Sequence, residues 1–163
     1  MSKILGIAQL GCSVLREKSK RVEKLSEIKE LINDSISTLI DSGGVGIASP
    51  QLYQPYRFFI MKPNADAKPI VVINPEIIRT SHEVIKSWES CLSIPGIRGL
   101  VSRYQSILVR YETEDENIEE KEISDFQARI FQHEYDHLDG LVYLDRLDNV
   151  KDIITEKEYL KIR

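Results

Sequence analysis

A chain of 163 residues, 42% hydrophobic and 29% charged, has the length of one domain and the balance of a globular protein, which excludes a disordered segment. Twenty-two basic against 26 acidic residues give a net charge of −4, which argues against a broad nucleic-acid or anionic-membrane surface. No run approaches the ~20 apolar residues of a membrane span, and the opening Met1-Ser2-Lys3-Ile4-Leu5-Gly6 lacks the apolar core of a secretion signal, so a cytoplasmic location is expected.

In chain order, the first helix is predicted over residues 26–42. Ile28, Leu31, Ile32, Leu39 and Ile40 recur there at helical spacing, and Gly43-Gly44 supply a stop. Residues 44–51 (GVGIASPQ) form a tight loop whose glycines permit close backbone approach or unusual dihedrals; it lacks the lysine of a phosphate-binding loop. Short apolar runs at 57–61 and 70–73 predict strands, the second ended by Asn74-Pro75. Residues 106–111 alternate apolar and polar, and 118–123 are expected to pair with them across Asp115-Glu116-Asn117. The acidic stretch 112–122 then becomes a solvated hairpin.

The last strong helix is predicted to start at Ser124, where Ser124-Asp125-Phe126-Gln127 fits a capping box, and to end at Gly140. A helix, several strands and a second helix, with no repeat or linker, predict a single α+β domain over residues 1–163. Antiparallel sheets would pack around the C-terminal helix, with the N-terminal helix added.

Inside that last helix lies His133-Glu134-Tyr135-Asp136-His137. Residues at i and i+4 share a helical face one turn apart. Both imidazoles can therefore reach one metal ion, with Glu134 beside them to handle protons. A catalytic centre usually takes three protein ligands and leaves one position to water. His137 is the last histidine and Tyr143 stands six residues after it, so the extended HExxHxxGxxH pattern is absent and the third ligand must lie upstream. Cys91, within Trp88-Glu89-Ser90-Cys91-Leu92-Ser93, is the leading candidate, because thiolate binds borderline metals well. In isolation a cysteine is more often a small buried apolar residue. The other, Cys12, sits in a polar stretch and is expected to be an incidental thiol.

Three spaced segments together resemble the peptide deformylase family. Residues 44–51 match its G-x-G-x-A-A-P-Q loop with Ser49 in place of the second alanine. Residues 89–93 match E-G-C-L-S with Ser90 in place of glycine, and residues 132–137 match Q-H-E-x-D-H in full. Weaker likeness runs from Gly11 to Arg146, with Arg98 and Arg103 where the family carries basic residues.

The resemblance implies one divalent metal ion held by Cys91, His133 and His137, with ferrous iron the physiological metal and zinc, nickel or cobalt able to replace it. It implies Glu134 as general base and then acid, and Gln51 with the Leu92 backbone N–H as oxyanion donors. The implied substrate is an N-formylated nascent peptide, met at the ribosome. It would lie extended beside Gly44, Val45 and Gly46 on one side and Glu89 and Ser90 on the other. The formyl-methionine side chain would enter an apolar pocket lined by Phe126 and Ile130, with the stem of Arg129 skirting the rim. Two rivals stand beside this reading. One is a metallo-endopeptidase, which Cys91 and the missing downstream ligand disfavour. The other is a deformylase-like paralogue that binds peptides with weakened catalysis, suggested by Ser49 and Ser90.

Overall fold

Burial of the apolar runs builds two antiparallel sheets in the structure, a computed structural model that describes residues 1–163. The elements are α1 (Lys29–Ser42), β1 (Gly46–Ala48), β2 (Phe58–Met61), β3 (Ile70–Thr80), β4 (Val84–Cys91), β5 (Ile94–Tyr104), β6 (Ser106–Glu112), β7 (Ile118–Ser124), α2 (Asp125–Leu138), β8 (Ile153–Thr155) and α3 (Glu156–Tyr159). One sheet has the order β1-β2-β3-β6-β7 and the other β4-β5-β8. The expected α+β architecture is present, with more strand than the sequence suggested.

The period of two in β2 explains how the layers stack. Phe59 and Met61 point to a core shared with Val72, Val109, Ile123 and the Ala128, Ile130, Phe131 and Leu138 face of α2. Phe58 and Ile60 point the other way, into a core with Ile28, Ile32 and Leu39 on or beside α1. The five-stranded sheet is thus covered by a helix on each face, and the short run at 58–61 is buried throughout. Phe59 meets Phe131 edge to face at 5.0 Å. Burying a side chain of this kind contributes about 2–3 kcal/mol. The second sheet closes a smaller core of Cys91, Ile94, Val101, Val142 and Tyr143.

Several local expectations are corrected. Ile40 is 58% exposed: the inward row of α1 runs through Ile32, Ser35 and Leu39, and the next residue lies about 100° further round. The predicted strand at 70–73 continues through Asn74-Pro75 to Thr80. Asn74 adopts φ 48° and its side chain bonds the N–H and C=O of Val22, and a bulge between Ile73 and Glu76 absorbs the proline. Ser124 occupies the N-cap of α2 without forming a capping box; its hydroxyl bonds the Asp125 carboxylate instead. The 153–159 segment, unassigned from sequence, adds β8 to β5 and ends in α3.

Candidate active site

α2 presents His133 and His137 toward the hairpin of β4 and β5, and Cys91 ends β4. One donor atom from each of the three residues lies within 4.8 Å of the other two. Cys91 Sγ stands 3.3 Å from His137 Nε2, near the ~3.6 Å separation of two ligands on a tetrahedral ion. The donor set of one thiol and two imidazoles suits a borderline divalent metal.

The His133 ring is aimed by a carboxylate. Its Nδ1 donates to Glu89 Oε2 at 2.9 Å, which turns Nε2 toward the donor group. Glu89 is held in turn by Arg103, whose Nε and Nη2 reach its two oxygens at 2.8 and 3.0 Å. Burial alone would raise Glu89, but hydrogen bonds from His133 and Arg103 hold it well below the usual carboxylate range. Arg103 also donates to Asp136 at 2.6 Å, and Arg146 closes on the same carboxylate. A buried chain of alternating charges therefore locks α2 to the β4–β5 hairpin.

Glu134 lies on the same helical turn, 4% exposed, and its Oε2 has no hydrogen-bond partner. Burial pushes its carboxyl up to about 7, against the pull of His133. Gly46 explains how the loop comes so close: a Cβ there would stand 2.3 Å from Glu134 Oε1. Gln51 is buried, with Oε1 accepting from the Ala48 N–H at 2.8 Å. Its Nε2 donates to Ser93 Oγ at 3.0 Å and lies 3.5 Å from Cys91 Sγ.

A cleft of about 350 Å³ gathers these groups. Gly44, Val45, Gly46 and Gln51 border it from the loop; Glu89, Ser90, Cys91 and Leu92 from the hairpin; Phe126, Ile130, His133 and Glu134 from α2. His137 lies behind, buried against Cys91, and its Nδ1 has no partner. Glu89 borders the cleft, yet both its oxygens are engaged within the protein. Sequence reasoning did not foresee Trp88 in the lining, nor Arg103 as the centre of the buried charges. Arg129 does not merely skirt the rim: its guanidinium is bonded to Glu89 and to two hairpin carbonyls.

The two serines that depart from the motifs have simple surroundings. Ser49 is buried and donates to the Gln54 carbonyl, inside the loop. Ser90 is exposed in the irregularity between Glu89 and Cys91, and its backbone stays outside the left-handed region. Neither feature supports weakened catalysis.

A thiol and two imidazoles converging beside a partnerless carboxylate, on a helix between antiparallel sheets, define by their chemistry a metal-dependent hydrolase. The family model described as polypeptide deformylase matches residues 4–152. Peptide deformylase 2 of a Nostoc species is 45% identical over 170 residues, covering 98% of this chain and 95% of that one. The peptide deformylase of Pseudothermotoga lettingae is 40% identical, covering 96% and 90%. Among solved structures, the peptide deformylase of Thermotoga maritima superposes with a TM-score of 0.86 at 37% identity, covering 90% of this chain and 99% of its own. A Met-Ala-Ser-bound class I type b peptide deformylase from Acinetobacter baumannii gives 0.84 at 34%, covering 90% and 100%. The chain belongs to the polypeptide deformylase family and is a peptide-deformylating hydrolase.

Proposed function

We propose that this chain, working as one domain over residues 1–163, removes the formyl group from the N-terminal formyl-methionine of nascent polypeptides and releases formate. Cys91, His133 and His137 hold one divalent metal ion, ferrous iron in the cell, with zinc, nickel or cobalt as substitutes. The place of action is the cytoplasm, at the ribosome. No helix is long and apolar enough to cross a membrane.

The observation that carries this reading is the partnerless Glu134 oxygen beside the Cys/His/His group. A bound ion supplies an activated water and polarises the formyl oxygen. Glu134 accepts a proton from the attacking water and returns it to the leaving amine. Gln51, its amide oriented by Ala48 and Ser93, donates to the developing oxyanion together with the Leu92 N–H. One such donor is worth about 3 kcal/mol of barrier. Glu89 acts through His133 as a positioning residue, held by Arg103. The peptide backbone adds as a strand between Gly44, Val45 and Gly46 and the Glu89-Ser90 edge, with the methionine side chain toward Phe126 and Ile130.

Metal analysis and a formate-release assay under oxygen-free conditions test the assignment. Cys91→Ala is expected to lose the metal and to slow formate release at least about 1,000-fold, the scale of several kcal/mol of metal catalysis. Glu134→Gln is expected to keep its metal and slow release at least about 100-fold. Full metal content in the first variant removes Cys91 from the ligand set, and normal turnover in the second removes Glu134 from the chemistry.

A further inference from the structure

Beside the cleft lies a second cavity of about 260 Å³, and Trp88, Phe126 and Arg129 line both. These three side chains form the partition between the two spaces. Arg129 is its pinned member. The side chain leaves α2 one turn before His133 and crosses to the β4–β5 hairpin. There Nη1 donates to Glu89 Oε1 at 2.9 Å and to the Val101 carbonyl at 3.0 Å, and Nη2 donates to the Ile85 carbonyl at 2.6 Å. Ser87, Tyr104 and Gln105 line the second cavity alone.

Arg129 is a stop for one physical reason, and a second lets that role be tested by removing it. An apolar side chain that reached it would have to displace a charged group from three hydrogen bonds, and a buried charge without partners is costly. Its removal would also leave the ligand-aiming apparatus in place, because Glu89 keeps both bonds from Arg103 and the one from His133.

The inference rests on the reading that the formylated residue's side chain enters beside Phe126 and Ile130. We propose that Arg129 is a specificity-determining residue: it closes that pocket against the second cavity and limits the formylated residue to side chains of about methionine's size.

The test compares kcat/KM for formyl-Met-Ala-Ser and formyl-Trp-Ala-Ser on the metal-loaded enzyme. Arg129→Ala should raise the Trp/Met ratio at least about tenfold, the lower range for size discrimination in an apolar pocket. Arg129→Met, which keeps the stem and loses the anchoring bonds, should shift it in the same direction by less, and carries the comparison if the alanine variant does not fold. Adding Ser87→Phe to Arg129→Ala should return the ratio toward wild type by filling the second cavity. Ser87→Phe alone should leave the formyl-Met rate unchanged, since Arg129 separates that space from the cleft in the wild type. A ratio within about twofold of wild type in both single variants, a gain that survives Ser87→Phe, or a lower formyl-Met rate in Ser87→Phe alone would overturn the role. A wild type that releases no formate from formyl-Met-Ala-Ser defeats the site reading and this role with it; normal release with an unchanged ratio defeats only the role of Arg129.

Discussion

Two antiparallel hairpins of this fold treat charge in opposite ways. In β6–β7 the charged residues face water: Arg110 and Glu120 pair at 2.7 Å with side chains 47% and 44% exposed. In β4–β5, Arg103 and Glu89 pair at 2.8 Å with side chains 5% and 4% exposed. The difference is the third element. α2 supplies His133, Asp136 and Arg129 to the β4–β5 pair, so each charge taken from water meets several partners. The β6–β7 pair has water on its open side. A hairpin thus becomes part of a site when a helix completes its buried charges, whereas an exposed cross-strand pair contributes little.

The contrast can be broken or sharpened in order of effect. Arg103→Met should cost the metal-loaded protein about 3 kcal/mol or more in denaturant unfolding, because it leaves buried carboxylates short of a partner. A cost under about 1 kcal/mol would put this pair on the footing of an exposed one. Glu89→Gln should weaken metal affinity about 10- to 100-fold in a chelator competition, the usual effect of losing a carboxylate behind a ligand histidine; unchanged affinity would detach Glu89 from the aiming of His133. Ser90→Gly, at the register irregularity in β4 of the same hairpin, should change kcat/KM by no more than about tenfold, or ~1.4 kcal/mol, because no left-handed backbone needs relief there. A silent wild type rescued by this change would reverse that view. Arg110→Ala should alter stability by about 0.5 kcal/mol and leave formate release unchanged. A loss of activity would show that β6–β7 reaches the site after all.

The same contrast explains what could be read from the sequence. The β6–β7 hairpin was visible because alternation and a turn are local patterns, and α2 was visible because its start at Ser124 and its stop near Gly140 are local signals too. The loop, Cys91 and the histidines were linked only through three spaced motifs acting together. The buried charges were not legible. Arg103 is 14 residues from Glu89 and 33 from Asp136, and nothing in either spacing announces a bond. The continuation of β3 past Asn74-Pro75 was missed for a related reason. Asn74 is fixed by Val22, 52 residues away, which overrides the usual stop. Ile40 misled because five apolar residues do not all fit one stripe, and only packing against β2 and β3 decides which is left out.

The contact between Gly46 and Glu134 makes the tolerance of one position conditional on another 88 residues away. A methyl group at 46 and a carboxylate at 134 claim the same volume, and the strand holding 46 is paired to β2, so it cannot simply retreat. In a library of single substitutions, alanine at position 46 would therefore be accommodated only by displacing the Glu134 carboxylate from its place beside the loop. Paired with a shorter residue at 134, alanine would fit without that displacement, though without the group that handles the proton. Stability and catalysis thus set different constraints on position 46, and only catalysis requires that glycine and glutamate be kept together.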